Sequence, residues 1–275
     1  MGLIDKLWPN KNHTALKEST NQLQEIPENW DFYMCDIDGQ PASYFLNLAL
    51  TRIAPISDRS TLLWVEIQMN HSREDGLSSS EEFDLLIELE DQIIPALTTR
   101  VPVLYVGRLT HNHLRYFYFY CNDGVDVDSF IHKIMQPYPD YSYHFGQKVD
   151  SEWSTYFDDM YPNEEILQSI SNRSVIEKLL NHGDNLEVER PVDHWIYFQN
   201  ETDRTVFSKA ILSLGFEIIQ QDQIEGSENF HYQLQISRKD AANQQSIDAC
   251  TTQLSKLAQQ FNAKYDGWET QIIRN

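Results

Sequence analysis

The sequence predicts an α+β protein of two tandem ferredoxin-like (βαββαβ) sandwiches, the first carrying an extra N-terminal β-hairpin. Three observations predict it. Apolar residues alternate with period two or recur with helical spacing in the order strand, helix, strand, strand, helix, strand, before residue 150 and again after residue 190. Capping and turn residues punctuate both runs. The chain of 275 residues is 41% hydrophobic and 12% aromatic, which is enough for two real cores. The predicted division is a polar lead-in over 1–28, an α+β domain over 29–162 and a second over 163–275.

In the first unit, Trp30 to Cys35 and Ser43 to Leu48 flank Asp38-Gly39, a hairpin turn signal that needs positive φ. Leu62 to Met69 reads as a buried strand. Ser79 and Glu82 form a candidate capping box for a helix with Phe83, Leu86, Ile87, Ile93 and Ile94 on one face, which Pro95 should end or kink. Val101 to Leu109 and Leu114 to Tyr120 pair as a hairpin across His111-Asn112-His113. Asp126 or Asp128 caps a short helix with Phe130, Ile131 and Ile134 inward. Tyr141 to Val149 closes the unit.

Asp150 to Glu165 holds six acids, and no Lys or Arg follows until Arg173, so this stretch reads as the connector. Its Trp153, Tyr156 and Tyr161-Pro162 predict that it packs down. A helix capped by Asn163, with a break expected near Ser171-Asn172, runs to Gly183. The strand-helix pattern then returns. His194 to Gln199 is a strand, and Val206, Phe207, Ala210, Ile211 and Leu214 stripe a helix stopped by Gly215. Phe216 to Gln220 and Phe230 to Ser237 form a hairpin. Ile247, Thr251, Leu254, Leu257, Ala258 and Phe261 stripe a second helix before the closing strand, Lys264 to Ile272.

A net charge of −21 repels phosphate backbones and acidic lipid, so no direct nucleic-acid or membrane partner is expected, and a basic protein suits it. Cys35, Cys121 and Cys250 form no Cys-x-x-Cys pair and read as free thiols of a cytoplasmic protein. The N-terminal Met1 to Pro9 lacks the apolar run of a signal peptide, and no stretch is apolar for about 18 residues.

Asn243 to Ala249, continuing through Leu254, Leu257-Ala258 and Phe261 into Tyr265-Asp266-Gly267-Trp268, resembles the regulator of ribonuclease activity B family. Leu179 to Asp184 and Leu214 to Glu217 fit the same resemblance. It implies a regulator that binds ribonuclease E outside its catalytic core and inhibits RNA cleavage by changing the assembly built there. Glu269 departs from the family, which usually has a second glycine there, and the chain stops at Asn275 without the long acidic tail of typical members. Residues 28–162 resemble an uncharacterised bacterial domain often placed ahead of this one, through Trp30-Asp31, Asp38 to Pro41, Gly107-Arg108, Tyr116 to Tyr120, Trp153, Tyr156 and Pro162.

Tyr265, Asp266, Gly267 and Trp268 are the candidate partner-binding residues. They fall on the last strand, an edge in the predicted fold, where Asp-Gly can supply a bulge. Trp268 is read either as an interface anchor or as a side chain packed on the preceding helix. Arg115 to Tyr120 alternates phenylalanine and tyrosine on opposite faces. Bases stack on this strand in RNA-recognition domains, yet the accompanying basic residues are missing. The phenylalanines are therefore expected to face the helices and the tyrosines to lie under another layer.

His111 and His113 share a strand face but lack further ligands at fixed spacing, so no metal and no cofactor are expected. No nucleophile elbow, phosphate loop or zinc-protease motif occurs. The predicted function is a non-catalytic, protein-binding regulator of RNA processing with ribonuclease E or a related partner. The alternative is a small-ligand binder or enzyme using a pocket in the first domain or between domains. Exposed sheet faces and edges leave a homodimer open.

Overall fold

A computed structural model describes residues 26–225 and 229–274. Most of the predicted lead-in, including the Met1 to Pro9 segment, lies outside the described residues. The first hairpin pairs β1 (Trp30–Ile37) with β2 (Gln40–Asn47). Its turn residues Asp38 and Gly39 have φ of 53° and 81°, and the Asp36 carboxylate accepts the Gly39 N–H at 2.7 Å. There follow β3 (Thr61–Gln68), α1 (Phe83–Arg100), β4 (Val103–His111), β5 (Leu114–Cys121), α2 (Asp128–Met135) and β6 (Tyr143–Val149). These strands form one antiparallel sheet in the order β1-β2-β4-β5-β3-β6.

The remainder comprises α3 (Glu164–Asn181), β7 (Arg190–Phe198), α4 (Glu201–Leu212), β8 (Glu217–Gln223), β9 (Tyr232–Asp240), α5 (Gln244–Gln260) and β10 (Lys264–Thr270). A second antiparallel sheet runs β10-β7-β9-β8. The α+β class expected from periodicity therefore holds in both halves.

Two local expectations are corrected and a third is narrowed. Helix α1 does not start as the sequence suggests. Ser79 Oγ accepts the Glu82 N–H at 3.3 Å, but the Glu82 carboxylate does not close a capping box. It turns inward instead, accepting from the Asn70 and His71 amides and the Tyr141 hydroxyl at 2.7–2.8 Å. Phe83 is left exposed while Leu86, Leu89, Ile93 and Leu97 face the core. Pro95 does not end the helix, because Ile93 and Leu97 are anchored in the core on either side of it. Asn172 does not break α3, which is continuous; its amide has partners inside the second domain, described below.

The first sheet is covered on both faces. Phe117 and Phe119 of β5 pack with α1 and α2, as alternation predicts. The opposite face, with Tyr33, Tyr44, Leu46 and Tyr120, lies under the connector. Trp153 and Tyr156 there are fully buried, and Trp153 stacks on Tyr120 at 3.9 Å with 8° between planes. The Tyr120 hydroxyl donates to Asp150 Oδ2 at 2.6 Å, and Asp150 also accepts from the Ser154 and Thr155 amides. Burial alone would raise the Asp150 pKa; these three donors prevail and hold it below the ordinary carboxylate range. A π-helical turn over Thr155–Met160 follows, fixed by a Tyr156 hydroxyl bond to the Asn47 carbonyl at 2.8 Å.

Helix α3 serves both halves in turn. Ile166, Leu167 and Ile170 pack against the connector layer of the first sheet. Ile176 and Leu179, about two turns later, join Val192, Ala242, Ile247 and Trp268 of the C-terminal half. Its apolar stripe changes side midway because its neighbours change.

Candidate partner-binding site

Strand β10 carries the four candidate residues and pairs only with β7 among the described strands, so it is an edge. Tyr265 pairs with Ile196 and Gly267 with Trp195, which leaves Asp266 as an extra residue in a β-bulge. Gly267 has φ +113°, and the space where a Cβ would stand is open.

This bulge decides where the aromatics go. In a regular strand, residues three apart point to opposite faces. The extra residue restores Trp268 to the face of Tyr265, so both rings turn toward the helices. Trp268 is 9% exposed, and its indole Nε1 donates to Asn172 Oδ1 at 2.9 Å. Of the two readings of Trp268, the structure has the packed one; Asp266 and the strand edge remain outward, with Asp266 paired to Lys264 Nζ at 3.1 Å.

Asn172 is fully buried and saturated. Its Oδ1 also accepts from Gln168 Nε2 at 2.9 Å, while its Nδ2 donates to Asp248 Oδ1 at 2.7 Å and Thr251 Oγ1 at 2.8 Å. Ser169 Oγ and Gln244 Nε2 donate to the other Asp248 oxygen. Thus α3, α5 and β10 are joined by one polar latch, and Asn243, capping α5 through a 2.9 Å bond to the Ser246 amide, starts the helix that brings Asp248 there.

The Tyr265 hydroxyl lies 2.9 Å from His194 Nδ1, and Cys250 Sγ lies 3.5 Å from His194 Nε2. A Cys-His-Tyr chain resembles a nucleophile with its base, but His194 is 0% and Cys250 2% exposed. Burial pushes the thiol up to about 12 and the imidazole down to about 3, the latter helped by Arg238. A protonated thiol beside a neutral imidazole, both closed to solvent, is core structure.

Neither His194 nor Asn172 was identified as a site residue from sequence. Asn172 carries a signal: it shares a helical face with Ile176 and Leu179, so a polar amide stands in an apolar stripe.

Elsewhere, Tyr116 and Tyr118 stack at 5.9 Å and are half-buried with Tyr120 on the connector side, as expected for tyrosines under a second layer. His113 Nδ1 lies 2.8 Å from Ser72 Oγ, whereas His111 Nδ1 lies 3.2 Å from the Pro41 carbonyl, so the two rings have separate partners. In the first domain Arg108 pairs with Glu90, and Arg115 approaches the same carboxylate at 3.9 Å. Burial, and then Arg108, push the Arg115 guanidinium down to about 10. A groove of about 690 Å³ between α3, α5 and β10 includes Glu164, Glu165, Lys256, Gln259 and Tyr265. Its polar groups satisfy each other: Lys256 meets Glu165 at 3.1 Å, and Gln259 meets Glu164 at 3.0 Å. No helix among the described residues is long and apolar enough to cross a membrane.

Fold and site define an α+β protein with two antiparallel sheets, the C-terminal one having a bulged edge strand latched to an extra helix. Residues 169–270 match the family Regulator of ribonuclease activity B, and residues 28–161 match a family of unknown function (DUF695). The chain belongs to the regulator of ribonuclease activity B family through its C-terminal domain. It is 30% identical to Regulator of ribonuclease activity B of Salmonella typhi over 114 residues, which is 39% of this chain and 80% of that protein. The namesakes of Escherichia coli (strain K12) and Shewanella denitrificans are both 29% identical over 38% of this chain, and 75% and 83% of their own lengths are covered.

Proposed function

We propose that the chain is a non-catalytic, cytoplasmic regulator of RNA processing that binds ribonuclease E or a related protein through its C-terminal domain. The observation that carries this reading is the use made of Tyr265 to Trp268. Both aromatics are turned inward, and what they build is a fixed, bulged edge with its outer backbone and Asp266 facing out. An edge strand held in one conformation offers backbone donors and acceptors to a partner segment at little ordering cost. The relatives' name, Regulator of ribonuclease activity B, supports the process.

The strand orders support a ferredoxin-like reading of both units: β4-β5-β3-β6 and β10-β7-β9-β8 are each the order 2-3-1-4 of a βαββαβ unit, read from one end or the other. We take 29–162 and 163–275 as the two domains, with 163–181 as a helix shared in packing.

The test is retention of ribonuclease E on the tagged full-length chain from a bacterial lysate, after ribonuclease treatment. The proposal expects retention that Asp266→Arg abolishes at unchanged thermal stability. Retention lost on ribonuclease treatment, or none at any salt, would reject it.

A further inference from the structure

The C-terminal sheet has a second surface that the bulged edge does not use. Helices α4 and α5 pack on the face bearing Val192, His194, Ile196 and Phe198. Alternation along β7 turns Asp193, Trp195 and Tyr197 to the opposite face, where all three are half-buried. Directly paired residues share a face, so the register fixes their neighbours. Trp195 stands between Gln235 of β9 and Gly267 of β10. Because Gly267 has no side chain, one flank of the indole is left open. Tyr197 stands beside Gln233, which in turn pairs with Asp222.

One row further along, Glu269, Asp193, Ser237 and Glu217 cross all four strands. Glu269 and Asp193 are direct cross-strand partners, an arrangement of like charges that destabilises a sheet. No Lys or Arg lies in that row. A cation placed over it would relieve the repulsion, and aromatic faces beside it would add cation–π attraction.

We propose that this outer face, centred on Trp195 and Tyr197, docks an arginine-bearing segment of a protein partner. Arginine fits better than lysine because its planar guanidinium stacks on indole or phenol and forks onto carboxylates. A nucleic acid would meet the carboxylate row, and a second copy of the chain would bring the same row with it. The proposal rests on the reading of the chain as a partner-binding regulator, and it places the basic contacts on the sheet face adjoining the β10 edge.

The test is fluorescence anisotropy of a labelled arginine-rich peptide with the full-length chain at low salt. The double variant Asp193→Asn/Glu269→Gln is expected to weaken binding roughly tenfold or more. Trp195→Leu, which keeps apolar bulk but removes the π face, should weaken it several-fold. The matched control Asp91→Asn/Asp123→Asn, with equal charge change on exposed positions of the first domain, should leave it within about twofold. Equal weakening by the control would reduce the effect to net charge and overturn the proposal, as would absence of peptide binding. A concentration-dependent dimer lost in Trp195→Leu would assign the face to a second copy and overturn it too. Recovery of ribonuclease E without peptide binding faults this face alone. Site-specific peptide binding without ribonuclease E faults only the identity of the cellular partner.

Discussion

The Trp268 indole donates to the Asn172 amide across 2.9 Å, tying the last strand of the chain to a helix that precedes the whole C-terminal sheet unit. The residue after Asn172 turns the other way. Arg173 lies 4.0 Å over the Phe32 ring, pairs with Asp31 and donates to the Phe32 carbonyl at 2.6 Å on the edge of the first sheet. Two consecutive residues of α3 thus hold the two domains, one each.

Removing Asn172 should be costly. Asn172→Ala leaves the buried Trp268 N–H without its acceptor, takes one donor from the half-buried Asp248, which keeps Ser169 and Gln244, and opens a void; a buried group left unsatisfied alone costs about 1–3 kcal/mol. Urea unfolding should show a loss of roughly 2–4 kcal/mol. Trp268→Phe, which keeps the ring and removes one donor, should lose less. Equal losses would mean the amide network contributes nothing beyond the indole.

Arg173→Ala should act on the junction. The ion pair keeps about a quarter of its side-chain surface in water, and that exposure, through screening, holds its worth to about 1 kcal/mol or less. Hydrogen exchange should quicken in β1 amides while β7 and β9 stay protected. Unchanged exchange in β1 would show that α3 holds the first domain by its apolar residues alone.

Deleting Asp266 should cost more than truncating Trp268. Without the extra residue, Trp268 would face away from Asn172 and expose its ring. Trp268→Ala itself should lose about 3–5 kcal/mol, the range for a buried aromatic. A deletion variant as stable as the parent would show that the bulge does not set the direction of Trp268.

Acid should destabilise the C-terminal domain before ordinary carboxylates titrate. The His194 imidazole sits at about 3 in the folded chain, well below the histidine value near 6.5 expected when unfolded. As pH falls below about 6.5, the unfolded chain binds a proton that the folded chain refuses. Stability is therefore present above that value and declines with a slope of up to ~1.4 kcal/mol per pH unit. Urea midpoints between pH 7 and 5 should show this decline, and His194→Gln should flatten it. An equal slope in the variant would assign the decline to other groups.

Much of the fold was legible because burial here follows simple alternation. Phe117 and Phe119 faced the helices as period two requires, and Trp153 and Tyr156 marked a connector that packs. The misreadings share one cause: a polar residue has a local preference, and a distant contact overrides it. Glu82 suits a capping box, yet Tyr141, 59 residues away, takes its carboxylate. Asn172 suits a helix break, yet Asp248 and Trp268 lie 76 and 96 residues away in sequence. For the site, Asp266-Gly267 announced a bulge, whereas its consequence for Trp268 depends on the register with β7, which spacing alone does not give.

The most direct test of the regulatory account is RNA cleavage by a purified ribonuclease E assembly titrated with the full-length chain. The account predicts a saturable fall in cleavage that Asp266→Arg prevents, with no cleavage by the chain alone. Cleavage that stays constant across the titration, or RNA cut by the chain itself, would contradict it.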